Sequence, residues 1–131
     1  NEPQRAQKVY RKLLKRLPKD PPVLLKSFLK RWKNAQEKLD ARAYVSLYDV
    51  NDSQMSDMLL KVENLFRKSD FISIGIYDST LLKQENDRYR LGFYETYASK
   101  IEKRNGYVEL VVECTDDSCL IESESFKESK Y

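Results

Sequence analysis

Residues 21–48, PPVLLKSFLKRWKNAQEKLDARAYVSLY, contain the pattern that decides the fold. Apolar side chains recur there at spacings of three and four, which places them on one stripe of an amphipathic helix. The stripe consists of Leu25, Phe28, Leu29, Trp32, Ala35 and Leu39.

Asp20 stands before two prolines as a candidate N-cap of this helix, and Asp40 is placed to cap a second helix. The inward face of the second helix carries Ala43, Tyr44, Leu47 and Tyr48. Both apolar faces need a sheet to cover them.

The sheet is predicted from a change of period. Residues 53–68 still carry apolar side chains at helical spacing, but from residue 71 onwards the apolar residues alternate. Four strands are predicted, over residues 71–77, 87–98, 107–114 and 119–126. Helices followed by consecutive strands with short connections predict an α+β domain with an antiparallel meander.

The composition is that of a globular protein, and the sequence offers no candidate transmembrane helix. A chain of 131 residues is one domain by default, and its apolar fraction of 40% and charged fraction of 34% are ordinary for a globular protein. No apolar run reaches the roughly 18 residues that a transmembrane helix needs.

Positive charge is concentrated at the amino terminus. Residues 1–42 carry 13 basic and 4 acidic side chains, whereas residues 43–131 carry 11 and 17. We interpret residues 1–20 as a basic N-terminal helix, or a linker from a preceding segment, and residues 21–131 as the main domain. A basic amphipathic helix can lie near an anionic membrane, or can simply pack its leucines on the domain. No nucleic-acid motif accompanies it, so nucleic-acid binding is not expected.

The two cysteines, Cys114 and Cys119, flank the residues Thr115 to Ser118 at the ends of two predicted strands. Residues that flank a short hairpin loop face each other at a distance close to that of a disulfide. We therefore predict a bridge, and with it an extracytoplasmic location; two reduced thiols are the alternative. A zinc site lacks further cysteines and any histidine.

The order of segments resembles the NTF2-like superfamily. It runs FLKRWKNAQEKLDARAYVSLYD, an amphipathic helix, FISIGIYD, RYRLGFYETYAS, NGYVELVVE and SCLIESESF. The sub-pattern is most similar to accessory NTF2-like domains of bacterial envelope proteins, some of them attached to L,D-transpeptidase-type cell-shape enzymes. The residues that carry it are Asp40, Tyr44 and Tyr48, and then Phe93, Glu95, Tyr97 and Ser99. The chain departs from the pattern at Cys119, Leu120 and Ile121, where similar domains often have a tryptophan.

The resemblance implies helices packed into a curved antiparallel sheet, as a cone with a pocket at its mouth. It also implies a non-catalytic accessory module of a periplasmic or otherwise extracytoplasmic protein, which binds a partner protein, a peptide or a cell-wall glycan such as peptidoglycan. A scaffold component of a secretion or conjugation apparatus is a further alternative. Homodimer formation and membrane proximity through the basic helix remain open, and no cofactor is implied.

The competing function is an isomerase or cyclase. The chain has no histidine, which removes the commonest general base near neutral pH. The candidate acid–base carboxylates are Asp78 and Glu95, and the candidate oxyanion donors are Tyr77, Tyr94 and Tyr97. We expect no catalytic residues, because a carboxylate among strand aromatics more often pairs with lysine or arginine.

For a binding module, we predict that Tyr89, Tyr94 and Tyr97 supply contact area, with Arg88 and Arg90 as charges at the rim. Tyrosine and arginine often dominate interfaces, because each buries a large surface and keeps a polar contact. Strand parity alone leaves open which face of residues 87–98 looks into the cone.

Overall fold

The computed structural model describes residues 19–129, so most of the predicted basic N-terminal segment lies outside the described residues. The helices are α1 (Val23–Glu37), α2 (Ala41–Val45) and α3 (Asp52–Ser69). The strands are β1 (Ile72–Glu85), β2 (Arg88–Ser99), β3 (Lys103–Thr115) and β4 (Ser118–Glu128). The strands form one antiparallel sheet in the order β1-β2-β3-β4. The predicted α+β class and meander are confirmed.

The ends of the first two helices follow from local geometry. The N-cap of α1 is Pro22, without a side-chain cap, so the prediction of Asp20 as the cap was wrong. The helix ends where Leu39 adopts a left-handed φ of 55°, and Asp40 then accepts a hydrogen bond from the Ala43 amide at 3.1 Å, as predicted. Helix α2 has only five residues, because the chain beyond it turns towards β4.

Trp32 lies at the centre of the contact between helix and sheet. Its side chain is only 4% exposed and packs edge-on against Phe93 of β2, with ring centroids 5.6 Å apart. Phe28, Leu91 and Leu110 are fully buried in the same cluster. The helix stripe read from the sequence is therefore the face that packs on the sheet.

Three β-bulges change which face the side chains point to: two lie in β1, after Tyr77 and at Leu82, and one lies in β4. In β1, the pairing with β2 shifts after Tyr77, where Asp78 adopts a positive φ of 55°. In β4, Ile121 pairs with Val112 and Ser123 with Val111, so Glu122 is an extra residue. A residue inserted in this way reverses the inward and outward positions that follow it.

The last hairpin turns within two residues, not within the four-residue loop that the sequence suggested. Asp116 and Asp117 both have positive φ, and Thr115 pairs with Ser118. Cys114 and Cys119 are consequently opposite each other and form the predicted disulfide.

All three glycines of the chain lie beneath aromatic rings. In each case a ring occupies the space that a β-carbon would need. The pairs are Gly75 with Tyr77, Gly92 with Tyr107, and Gly106 with Phe126. The absence of a side chain thus allows each ring to lie close to the sheet backbone.

Substitution of Trp32 by alanine is expected to lower the free energy of unfolding by about 3–5 kcal/mol, because a large buried ring is lost and a cavity remains. Urea unfolding of the purified domain measures this loss. Phe71→Ala, at a ring that is 50% exposed, is the matched control and should change stability by less than about 1 kcal/mol. Equal losses in the two variants would contradict the central position of Trp32.

Protein produced in an oxidising compartment is expected to carry the Cys114–Cys119 bridge, seen by mass spectrometry as a gain of two hydrogens on reduction. The closed loop is short, so the bridge should stabilise the domain by about 2 kcal/mol or less. Two free thiols in the unreduced protein would contradict the prediction.

Candidate binding pocket

A pocket of about 490 Å³ opens between the helices and the concave face of the sheet. Trp32, Gln36 and Tyr44 line it from the helices. Glu95, Arg104 and Glu124 line it from β2, β3 and β4, and the side chain of Phe126 stands beside them. The predicted concave pocket is therefore present, with aromatic walls and several charged groups.

A chain of hydrogen bonds connects the helices to β4 at one wall of the pocket. The Tyr48 hydroxyl donates to Glu124 Oε2 at 2.8 Å and accepts from Trp32 Nε1 at 3.1 Å. The Tyr44 and Tyr48 hydroxyls are 2.8 Å apart. Because Tyr48 gives its one hydrogen to Glu124, Tyr44 is the donor between the two tyrosines.

Both tyrosines remain protonated. Burial raises the pKa of Tyr48 and that of Tyr44 far above the ordinary value, and the negative charge of Glu124 raises both further. In this pocket they are hydrogen-bond donors and not bases.

The opposite wall holds a buried carboxylate. Glu95 is only 3% exposed, and its Oε1 lies 3.7 Å from Nε of Arg104. Arg104 also pairs with Glu102 at 2.9 Å and lies over the ring of Tyr97, 3.7 Å from its centroid. Burial raises the pKa of Glu95; Arg104 opposes this shift, and the carboxylates of Glu124 and Glu102 add to it.

The walls carry more negative than positive charge. Glu95, Glu102, Glu124 and Glu128 line the pocket, and Arg104 is the basic residue among its lining side chains. Such a lining favours a ligand with a positively charged group, because carboxylates attract cations most strongly where water is partly excluded.

The structure brings together three of the five residues predicted to bind a ligand, because Arg88, Tyr89 and Arg90 line one small pocket of about 90 Å³. Tyr97 lies inside, buried beneath Arg104, and Tyr89 is half-buried against the main core. Tyr94 is 53% exposed on the sheet face opposite the helices and contacts the ring of Tyr107, whereas Arg90 pairs with Glu109. Arg88 pairs with Glu122 at 2.6 Å. Tyr94 and Tyr97 lie outside that small pocket, so the five residues together do not form one site, and their binding role stays a prediction.

The acid–base candidates separate as well. Glu95 lies in the pocket, whereas Asp78 is exposed at the first bulge of β1. Tyr77 and Tyr94 pair across strands on the outer face and are more than half exposed. A proton-transfer site at Glu95 would have Tyr44 as its neighbour in place of the tyrosines that were proposed.

Sequence reasoning missed Arg104 and Glu124. Arg104 pairs in register with Tyr97, so its position follows only from the exact length of the β2–β3 turn. Glu124 faces inward because of the bulge at Glu122; it pairs with the buried Leu110. No residue type in β4 indicates that a bulge lies at Glu122.

Residues 19–129 contain neither a candidate metal site nor a candidate membrane-spanning helix. No group of three or more His, Cys, Asp or Glu side chains is placed there to hold a metal ion. Within the same residues, every helix is too short or too polar to cross a membrane.

Among the solved structures that this chain resembles are Bd1075, the cell-shape protein Pgp2 and one NTF2-like family protein. Bd1075 of Bdellovibrio bacteriovorus superposes with a TM-score of 0.69 at 21% identity, over 82% of this chain and 40% of that protein. The helical cell shape determining protein Pgp2 (K307A mutant) of Campylobacter jejuni gives 0.65 at 23%, over 77% and 39%. An NTF2-like family protein of Streptomyces avermitilis gives 0.69 at 11%, over 82% and 95%. The fold is NTF2-like.

The NTF2-like chain spans about two fifths of the length of Bd1075 and Pgp2, and nearly all of the Streptomyces protein. The sequence matches no protein-family model and no curated protein. At these identities the structural likeness establishes the fold alone.

The pH dependence of stability is expected to report on Glu95. Its pKa in the folded state lies above the ordinary value of 4.5, so the folded state holds this proton more tightly than the unfolded state. Stability from this residue is present at low pH and is lost as the pH rises from about 4.5 through the raised pKa. Glu95→Gln removes the titration, so stability relative to wild type should rise over that range in urea unfolding. A constant difference between the two proteins at every pH would contradict this.

Proposed function

We propose that this NTF2-like domain is a non-catalytic binding module of a bacterial envelope protein, whose pocket holds part of the ligand. The observation that carries the proposal is the pocket itself. Its volume of about 490 Å³ suits one sugar or amino-acid unit. Aromatic rings and hydrogen-bond donors line the same space, which is the combination that binding sites for such groups use.

Two findings support a location of this domain in the bacterial cell envelope. The Cys114–Cys119 disulfide is compatible with an oxidising compartment. Domains of the same fold occur in Bd1075 and in the cell-shape protein Pgp2. A ligand of the cell wall, either peptide or glycan, therefore fits better than a cytoplasmic metabolite. A scaffold role in a secretion or conjugation apparatus is an alternative with no separate observation in its favour.

The pocket chemistry favours binding over catalysis. Glu95 is held in an ion pair with Arg104, and both tyrosines are fixed as donors by their raised pKa. Their hydroxyl hydrogens are also used within the wall of the pocket, by Tyr48 towards Glu124 and by Tyr44 towards Tyr48.

One observation favours the competing enzyme. Glu95 is a buried carboxylate with a raised pKa in the same pocket as the Tyr44 hydroxyl. A proton-transfer enzyme places an acid or base in this kind of environment. This second candidate function would be an isomerase or cyclase that uses Glu95.

Co-sedimentation of the domain with isolated peptidoglycan sacculi tests binding. Phe126→Ala, at the pocket rim, is expected to weaken binding about tenfold, because an exposed ring that contacts ligand is a typical hot spot. Tyr94→Ala is the matched variant on the outer face, with a similarly exposed ring. If Tyr94→Ala weakens binding and Phe126→Ala does not, the ligand or partner meets the outer face, as the sequence suggested for Tyr94 and Arg90.

Glu95→Gln separates the two functions. A binding module should still bind sacculi, weakened about tenfold at most, because the amide preserves the shape of the pocket wall while one of its four carboxylates is lost. Chemical change in soluble peptidoglycan fragments incubated with the domain, abolished by Glu95→Gln, would establish the enzyme and overturn the non-catalytic proposal.

A further inference from the structure

The outer edge of β4 is covered only at its beginning. Ile121 donates its amide hydrogen to Leu47 O at 2.7 Å and accepts from the Asp49 amide at 2.8 Å. The segment after α2 thus pairs with β4 as a short parallel strand. This pairing stops at the bulge of Glu122, immediately before the residues that line the pocket.

Beyond the bulge, the direction of the peptide groups can be assigned. The Ser129 amide donates to Asn105 O of β3 at 2.8 Å, so these residues form a hydrogen-bonded pair. Hydrogen-bonded and non-bonded pairs alternate in an antiparallel ladder. The peptide groups of Glu124, Phe126 and Glu128 therefore point away from β3, and within residues 19–129 no backbone group pairs with them.

The same three residues direct their side chains into the pocket. Glu124 pairs with Leu110 and Phe126 with Val108, both buried on the concave face, and all three residues line the cavity. The free edge and the open pocket are therefore adjacent. A strand added to this edge would place every second side chain on the concave face, beside Phe126.

We propose that the ligand includes an extended peptide that adds to the free edge of β4 as a fifth strand and inserts a basic side chain into the pocket. Main-chain hydrogen bonds would give affinity, and the pocket would select the inserted side chain. This inference rests on the proposed function and specifies its ligand.

The negative charge of the β4 edge and of the pocket favours a basic peptide as the ligand. Glu124 and Glu128 lie along the edge, and Glu95 and Glu102 lie in the pocket. Arg104 already pairs with Glu95 and Glu102, so a lysine or arginine side chain of the ligand would meet Glu124 and Glu128, in a pocket whose lining carries four carboxylates and one guanidinium group. A second copy of this chain, paired edge to edge, would instead bring the same acidic residues together, which repels.

The test uses synthetic seven-residue peptides of alternating threonine and lysine. The matched peptide replaces each lysine by glutamate. Two further versions carry N-methyl groups on one or the other set of alternate backbone amides, because only one set can face β4. Trp32, the single tryptophan of the chain, lines the pocket and reports binding through its fluorescence.

The lysine peptide is expected to bind, and the glutamate peptide to bind at least tenfold more weakly. One methylated version should lose at least tenfold in affinity, and the other should stay within about twofold. Equal binding of both methylated versions, or of the lysine and glutamate peptides, would overturn strand addition. So would a response of Trp32 to peptide-free glycan fragments without any response to the peptides.

A pair of variants tests the protein side. Glu128→Ala and Glu128→Pro both remove the carboxylate, but only proline also removes the outward amide hydrogen. The proline variant should bind the lysine peptide about fivefold more weakly than the alanine variant. Equal affinities in two folded variants would count against the inference, and if the proline variant unfolds, the methylated peptides still decide.

The two proposals can fail separately. If peptidoglycan binding depends on Phe126 while backbone methylation has no effect, the binding module stands and strand addition is wrong. If neither the peptides nor sacculi bind, both are wrong.

Discussion

The indole of Trp32 connects the helices to the sheet and to the segment that follows α2. Its ring packs on Phe93 of the sheet, and its N–H binds the Tyr48 hydroxyl, which in turn donates to Glu124 at the far strand. An apolar contact and a hydrogen-bond chain thus meet in one side chain. The helices are held over the concave face by the same residue that forms the floor of the pocket, so pocket shape and domain stability depend on a common interaction.

The elements that bury one face were predictable from the sequence. The stripe around Trp32 and the alternation from Ile72 onwards each repeat at the period of their structure, because only one face of each is covered. The disulfide between the two cysteines was predictable because a short turn permits few pairing registers between the two strands that it joins. The length of α2 was not, since it is set by the pairing of Tyr48 with Ile121, far along the chain.

The pocket was only partly predictable, for a geometric reason. Along β2, the alternation of apolar residues correctly predicts which side chains face inward, and Glu95 and Tyr97 are buried at such positions. A bulge interrupts it at Asp78 and at Glu122, and no side-chain type marks either place. Glu124 is therefore on the inner face although a regular strand would place it outside. Arg104 depends on register between strands, which the sequence of one strand does not contain.

The rings over the glycines constrain how this surface can evolve. At Gly92, the end of the Tyr107 side chain fills the volume of any larger residue, and at Gly75 the Tyr77 ring does the same. The residue type at each glycine position and the ring above it therefore depend on each other. Loss of the tyrosine first creates no clash, whereas loss of the glycine first forces the partly exposed ring to swing away from the sheet. The aromatic character of the outer face thus depends on two residues that have no side chain of their own.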